Sequence, residues 1–262
     1  MGALDGQVAI VTGGGTGIGR SAALMLAAEG ALVVVAGRRK QPLEAVVGEI
    51  AKAGGRAVAR TCDVEKPPEA RALAEWTVAQ YGRADILVNN AGHSSKARNV
   101  RWVGQAEWDS VLAVNLTGVY ALTQAVLPSM IERGGGTIIT VSSLAALRPG
   151  LIGGAPYGAA KAAVLNLMGH VHNVLRDKGI RATTIMPAEV DTPILDNRPL
   201  PPDATARATM MHADDVARAI LLCATLPPRT VIETMVMSPT ILRDQSQDIK
   251  IARDAGAPPG AK

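Results

Sequence analysis

The sequence predicts an α/β fold: a doubly wound parallel sheet of about seven strands with helices on both faces. Three observations carry that prediction. Short apolar runs recur at residues 8–11, 32–36, 86–88, 137–141 and 182–185, and they are continuous rather than alternating. Runs of that kind are strands buried on both faces, as in a parallel sheet covered by helices. Amphipathic stretches of helical period lie between them. A glycine-rich turn also follows the first run directly and opens the first helix, where a βα unit places its phosphate loop.

The elements follow in order. Strand 8–11 leads to a helix over 18–29, and strand 32–36 leads to a helix over 41–53 that stops at Gly54-Gly55. Asp63 follows the third strand. A helix over 68–81, strand 86–88, a long helix over 105–132, strand 137–141 and a helix over 157–178 come next, the last stopped by Gly179. After strand 182–185, residues 194–212 contain Arg198-Pro199-Leu200-Pro201-Pro202 and read as a loop over one end of the sheet, facing substrate. A helix over 213–226 and a strand over 231–237 complete the pattern. Residues 243–262 form a polar tail that lies on the surface or against a neighbouring subunit. The economical count is a single domain, 1–262.

Composition narrows the function classes. Of 262 residues 48% are apolar, which excludes disorder, and two cysteines cannot build a disulfide framework or a four-ligand zinc site. The four histidines are not spaced as a ligand set, so no metal is expected. No uninterrupted apolar stretch nears the ~20 residues of a membrane span. The amino terminus carries Asp5 where an export signal would be basic, so the cytoplasm is the expected compartment. A net charge of +4 is thin for nucleic acid, and 2% aromatic content leaves few stacking platforms. Neither nucleic acid nor membrane is an expected partner.

The turn reads Thr12-Gly13-Gly14-Gly15-Thr16-Gly17-Ile18-Gly19. A pyrophosphate needs backbone amides at close range and the positive end of a helix, and residues without a Cβ allow that approach. Gly13, Gly17 and Gly19 supply the turn, the approach and the close helix packing. Further along the chain come Asn89-Asn90-Ala91-Gly92, Asn115, Ser142-Ser143, Tyr157 with Lys161, and Pro187-Ala188-Glu189-Val190-Asp191-Thr192. With TGxxxGxG, NNAG, a strand-end serine, YxxxK and a PGxVxT-like segment in this order, the chain resembles the short-chain dehydrogenase/reductase family over residues 7 to about 193. The resemblance implies a Rossmann fold and an oxidoreductase.

It implies cofactor contacts at Gly13, Gly15, Thr16, Gly17, Ile18 and Gly19 in the turn, and at Asp63 and Val64 beside the adenine. Asn90, Ala91 and Gly92 come next, then Tyr157 and Lys161, with Pro187, Val190 and Thr192 on the carboxamide side of the nicotinamide. Ala188 departs from the family glycine. At the end of the second strand, where an acid would bind the ribose diol, the chain has Gly37-Arg38-Arg39. With no carboxylate there and two guanidinium groups able to grip a 2′-phosphate, NADP(H) is preferred, with NAD(H) possible.

Tyr157 and Lys161 share a helix face, and a nearby ammonium would draw the phenol towards a useful acid/base range. The resemblance makes Tyr157 the general acid/base, Lys161 a ribose ligand, Ser143 the donor to the substrate oxygen, with Ser142 as fallback, and Asn115 the holder of a water that links Lys161 to solvent. His93 and Glu189 are candidate polar groups in the substrate pocket. The expected reaction is hydride transfer between nicotinamide C4 and a carbonyl or secondary alcohol of small aliphatic character. The alternative is an NAD-dependent alcohol or 3-hydroxy acid dehydrogenase, towards which the carboxyl-terminal segment leans. A dinucleotide-sensing protein without turnover is the competing class. A homotetramer or homodimer is expected, built through the apolar faces of the long helices, Val111, Val119, Leu122 and Val126, and Val164, Leu167, Val171 and Leu175; the same faces could equally pack on the chain's own sheet.

Overall fold

The computed structural model describes residues 2–261. The strands among them are β1 (Val8–Thr12), β2 (Leu32–Gly37), β3 (Arg56–Thr61), β4 (Ile86–Asn89), β5 (Gly136–Val141), β6 (Ile180–Pro187), β7 (Val190–Asp191), β8 (Met211–His212) and β9 (Thr234–Met237). The helices are α1 (Gly17–Ala28), α2 (Lys40–Lys52), α3 (Pro67–Tyr81), α4 (Gln105–Leu112), α5 (Gly118–Glu132), α6 (Ala155–Leu175), α7 (Ala204–Arg207), α8 (Ala213–Thr225) and α9 (Ser246–Asp254). Seven strands form one parallel sheet in the order β3-β2-β1-β4-β5-β6-β9, and β7 pairs with β8 beside it.

Alternate residues of the buried strands feed two cores. Ala9, Val11, Val33, Val35 and Ile139 pack beneath α1, α2 and α8, while Val8, Ile10, Val34, Leu87 and Ile138 pack beneath α3, α5 and α6. This is the sheet with helices on both faces that continuous apolar strands require. The strand order reverses between β1 and β4, so the crevice of the fold opens beyond their carboxyl ends. There Thr12 Oγ1 accepts from the Asn90 and Ala91 amides at 3.0 and 3.1 Å and donates to the Val88 carbonyl, tying the two strand ends together.

Several expectations need correction. No continuous apolar run marks β3 because it is the sheet edge: its Arg56, Arg60 and Thr61 are exposed. The last strand starts at Thr234 rather than 231, since its register against β6 begins with the pair Thr184 and Thr234. The helix over 105–132 is divided by a π-turn, Ala113–Thr117. By length and composition the run Gln105–Glu132 would suit a membrane span, but Val119, Leu122, Val126 and Met130 are buried against the sheet. The apolar faces assigned to subunit contact do the same work: Val111, Val119, Leu122, Val126, Val164 and Val171 are buried within the chain, and Leu167 and Leu175 pack on the same core. The tail is not simply polar surface, because it contains α9 and buries Asp248 and Ala252.

Candidate active site

The turn after β1 is built on glycine for two distinct reasons. Gly13 has φ +63°, a conformation that side chains disfavour. Gly19 has no room, since a Cβ there would lie 2.3 Å from the Gly13 carbonyl oxygen. Helix α1 begins just beyond with no side-chain cap from Thr16 and no acid in its first turn. Its first amides are thus open to an anion. Gly13, Thr16, Gly17 and Ile18 line a cavity of about 800 Å³ that runs on past Asn90, Ala91 and Gly92 to Ser143, Tyr157 and Lys161, with Pro187, Val190 and Thr192 on its far wall. A glycine floor, an uncapped helix start and a long cavity fit a dinucleotide. Gly15 and Gly19 lie behind this lining, with Gly15 packed on Pro42 and Leu43.

Other expected contacts stand outside the cavity wall. Arg38 and Arg39 are exposed between β2 and α2 and make no hydrogen bond or ion pair among the described residues. Asp63 accepts from the Glu65 amide at 3.2 Å, and the Val64 carbonyl meets α5 at Gly118, where a Cβ would come within 2.3 Å.

The serine at the end of β5 is resolved by hydrogen bonding. Ser142 is buried and donates to the Lys161 carbonyl at 2.8 Å. Ser143 lines the cavity together with Tyr157, and its Oγ accepts from the Ala145 amide at 3.2 Å. Lys161, 4% exposed, donates Nζ to the Val141 carbonyl at 2.9 Å and sits 5.4 Å from the centre of the Tyr157 ring. Asn115 lies in the π-turn, where Nδ2 donates to the Val111 and His93 carbonyls at 2.9 and 2.8 Å. Its Oδ1 is buried without a partner. The space left by the missing Cβ of Gly92 is bordered by Asn115 Oδ1 and Lys161 Nζ, at 2.7 and 3.5 Å from where that atom would be.

The electrostatics differ from expectation. Burial pushes the Tyr157 phenol up from its ordinary value, opposed by the nearby Ser143 hydroxyl and by the charges of Arg98 and Arg198. Burial brings Lys161 itself down to about 8, because its ammonium has a carbonyl rather than a carboxylate for a partner.

His93 does not face substrate: its ring nitrogen Nε2 lies 3.2 Å from the Ser110 carbonyl on α4, and it is absent from the cavity wall. Glu189 does line the cavity, but its carboxylate is fully engaged by Arg198, by Arg243 at 2.8 and 2.9 Å and by Gln245. Burial alone would raise Glu189, yet these donors hold it below the usual carboxylate range. Arg243 also forks onto Asp248 at 2.8 Å, so the segment after β9 is strapped to the 187–192 segment across the cavity mouth. Arg98, Arg198 and Arg243 went unread because they belong to no local motif. A basic residue inside the predicted substrate loop, Arg198, was the one available signal.

The short-chain dehydrogenase family model matches residues 7–201. The chain belongs to the short-chain dehydrogenase/reductase family. It is thus an NAD(P)-dependent oxidoreductase by family, with a Rossmann-type fold. A 3-oxoacyl-[acyl-carrier-protein] reductase from Thermotoga maritima is 33% identical over 226 residues, 84% of this chain and 91% of the relative. Among solved structures, a metagenomic short-chain oxidoreductase in complex with NADP superposes with a TM-score of 0.79 at 35% identity, covering 92% of this chain and 100% of the other. A 3-ketoacyl-(acyl-carrier-protein) reductase from Brucella melitensis, complexed with NADH, gives 0.80 at 31% identity, covering 90% and 98%. Ketoacyl reductases thus stand among the relatives, whereas the carboxyl-terminal segment leaned towards the 3-hydroxy acid branch.

Proposed function

We propose that this enzyme interconverts a carbonyl and a secondary alcohol with NADP(H), using Tyr157 as general acid/base. The observation that carries the reading is that Ser143, Tyr157 and Lys161 together line one end of the cavity that starts on the glycine turn, with Lys161 Nζ 5.4 Å from the centre of the Tyr157 ring. The nicotinamide, when bound, supplies or accepts the hydride. In reduction, Tyr157 Oη gives its proton to the substrate oxygen, and in oxidation it takes that proton back. Ser143 Oγ donates to the same oxygen and stabilises the charge developing there. Lys161 binds the nicotinamide ribose, and the space beside Gly92, between Asn115 Oδ1 and Lys161 Nζ, suits a water that returns the proton from solvent.

Arg38 and Arg39 support NADP(H) over NAD(H), since both are exposed cations without partners among the described residues and no acid stands at Gly37. An NADH-complexed neighbour keeps the NAD-dependent alcohol or 3-hydroxy acid dehydrogenase as the second reading. A cytoplasmic homodimer or homotetramer completes the proposal. Exposed Tyr120 and Ile131 on α5 and Val174 on α6 support the assembly. The test is oxidation of NADPH and NADH against a panel of ketones and oxo acids. Turnover with NADPH preferred by tenfold or more is expected (about 1.4 kcal/mol); preference for NADH would favour the second reading.

A further inference from the structure

The substrate end of the cavity is short of negative charge. Four arginines and a lysine line the cavity, namely Arg98, Arg148, Arg198, Arg243 and Lys161, against one carboxylate, Glu189. Glu189 is shared by Arg198 and Arg243, and Arg243 is further matched by Asp248. Arg98 is left over. It is 4% exposed, and all its side-chain hydrogen bonds leave from Nη1, to Ser94 Oγ and to the carbonyls of Ile152 and Gly153, the latter at 2.7 Å. Nε is buried without a partner. Carbonyl and hydroxyl dipoles satisfy a guanidinium's N–H groups, but they bring no opposite charge, so a buried cation of this kind stays costly until an anion arrives.

Its surroundings sharpen the point. Arg98 and Arg198 border the same small recess beside Leu151, Ile152 and Asp248, whose carboxylate is bonded to Arg243 rather than to Arg98, and the two like charges disfavour each other. Glu107 acts on Arg98 only from a distance, and its carboxylate accepts from the Lys96 amide. Both arginine charges also act on Tyr157, so the uncompensated charge lies at the reacting end rather than at the dinucleotide phosphates.

We propose that the substrate is an oxo or hydroxy acid, with its carboxylate bound at Arg98 beside Arg198 and its aliphatic part against Leu144, Ile194 and Leu242. This inference rests on the proposed carbonyl chemistry at Tyr157 and names its substrate class. A planar fork facing a carboxylate is the pairing that arginine makes best. Arg98 is then a specificity-determining residue outside the Ser143-Tyr157-Lys161 group.

The test uses purified full-length enzyme, NADPH and aliphatic 2-, 3- and 4-oxo acids, each paired with its methyl ester. For at least one pair kcat/KM for the acid should exceed that for the ester by about tenfold to a hundredfold, the range of a charge-assisted hydrogen bond. In Arg98→Met the acid-to-ester ratio should fall to about one, and Arg98→Lys should restore part of it. Acids and esters turned over alike by the wild-type enzyme would overturn the inference while leaving the carbonyl chemistry standing, and that comparison holds even where a variant does not fold. A ratio unchanged in a folded Arg98→Met enzyme would show a purely structural staple and overturn it too. Failure to turn over any carbonyl with either nicotinamide would overturn both readings.

Discussion

Ser142 donates to the Lys161 carbonyl at 2.8 Å, while its neighbour Ser143 lines the cavity beside Tyr157. Adjacent residues of one strand end face opposite ways, so one hydroxyl enters the cavity and the other holds α6 against the sheet. Ser143→Ala should lower kcat by about 10²-fold with little change in KM, as loss of a donor to developing charge does. Ser142→Ala should leave kcat within a few-fold and lower stability by about 1 kcal/mol. Steady-state kinetics and thermal melts on both variants separate the roles; a reversed pattern would reassign the serine.

Lys161 predicts an unusual stability profile. Its pKa is held near 8 in the folded chain against 10.5 unfolded. Between those values the unfolded chain holds the extra proton, so this group makes stability rise with pH; below 8 the folded state bears the full penalty. Lys161→Met should therefore abolish turnover yet stabilise the cofactor-free protein near pH 7, by at most about 3 kcal/mol and less the bond lost to Val141. The gain should shrink as pH approaches 10. Melts of both proteins across pH 7 to 10 check this, and a constant or growing gain would contradict it.

Cofactor preference is predicted to reside in Arg38 and Arg39. Replacing both with serine should raise KM for NADPH at least tenfold, about 1.4 kcal/mol, and leave KM for NADH nearly unchanged. Gly37→Asp should move preference towards NADH by restoring a ribose acceptor and repelling a 2′-phosphate. Equal losses with both cofactors would place the phosphate elsewhere.

The Glu189–Arg243–Asp248 strap predicts a local effect. All three side chains are about one-tenth exposed. Arg243→Met would leave Asp248 buried without its cation and Glu189 with Arg198 alone, a defect worth about 3 kcal/mol when not relieved. Release of α9 relieves it, so hydrogen exchange should rise in residues 244–254 and KM for substrate should increase. Protection that stays at the wild-type level there would show that the strap does not hold the tail.

Much of the fold was legible because burial on both faces leaves continuous apolar runs, as in residues 8–11 and 137–141. The glycine turn was legible because Gly13 and Gly19 answer local demands of backbone angle and space. What escaped was set by distance. β3 carries arginines because an edge strand is wetted. α9 is held by Arg243 reaching Glu189, 54 residues away, and nothing near either residue announces that contact. Arg98 stands in no motif, and only the fold shows that it is buried, without an ion pair among the described residues, in the cavity that Tyr157 lines. Asn115 itself was legible, but nothing local announces that it lies in a π-turn, Ala113–Thr117.

The central claim is that Tyr157 moves the proton. Tyr157→Phe removes one oxygen and keeps the ring, so NADPH titration by fluorescence should give a Kd within about threefold of wild type. NADPH oxidation with the best carbonyl substrate should fall by about 10³-fold or more, at the upper range of general acid catalysis. Oxidation retained within about tenfold would contradict the account.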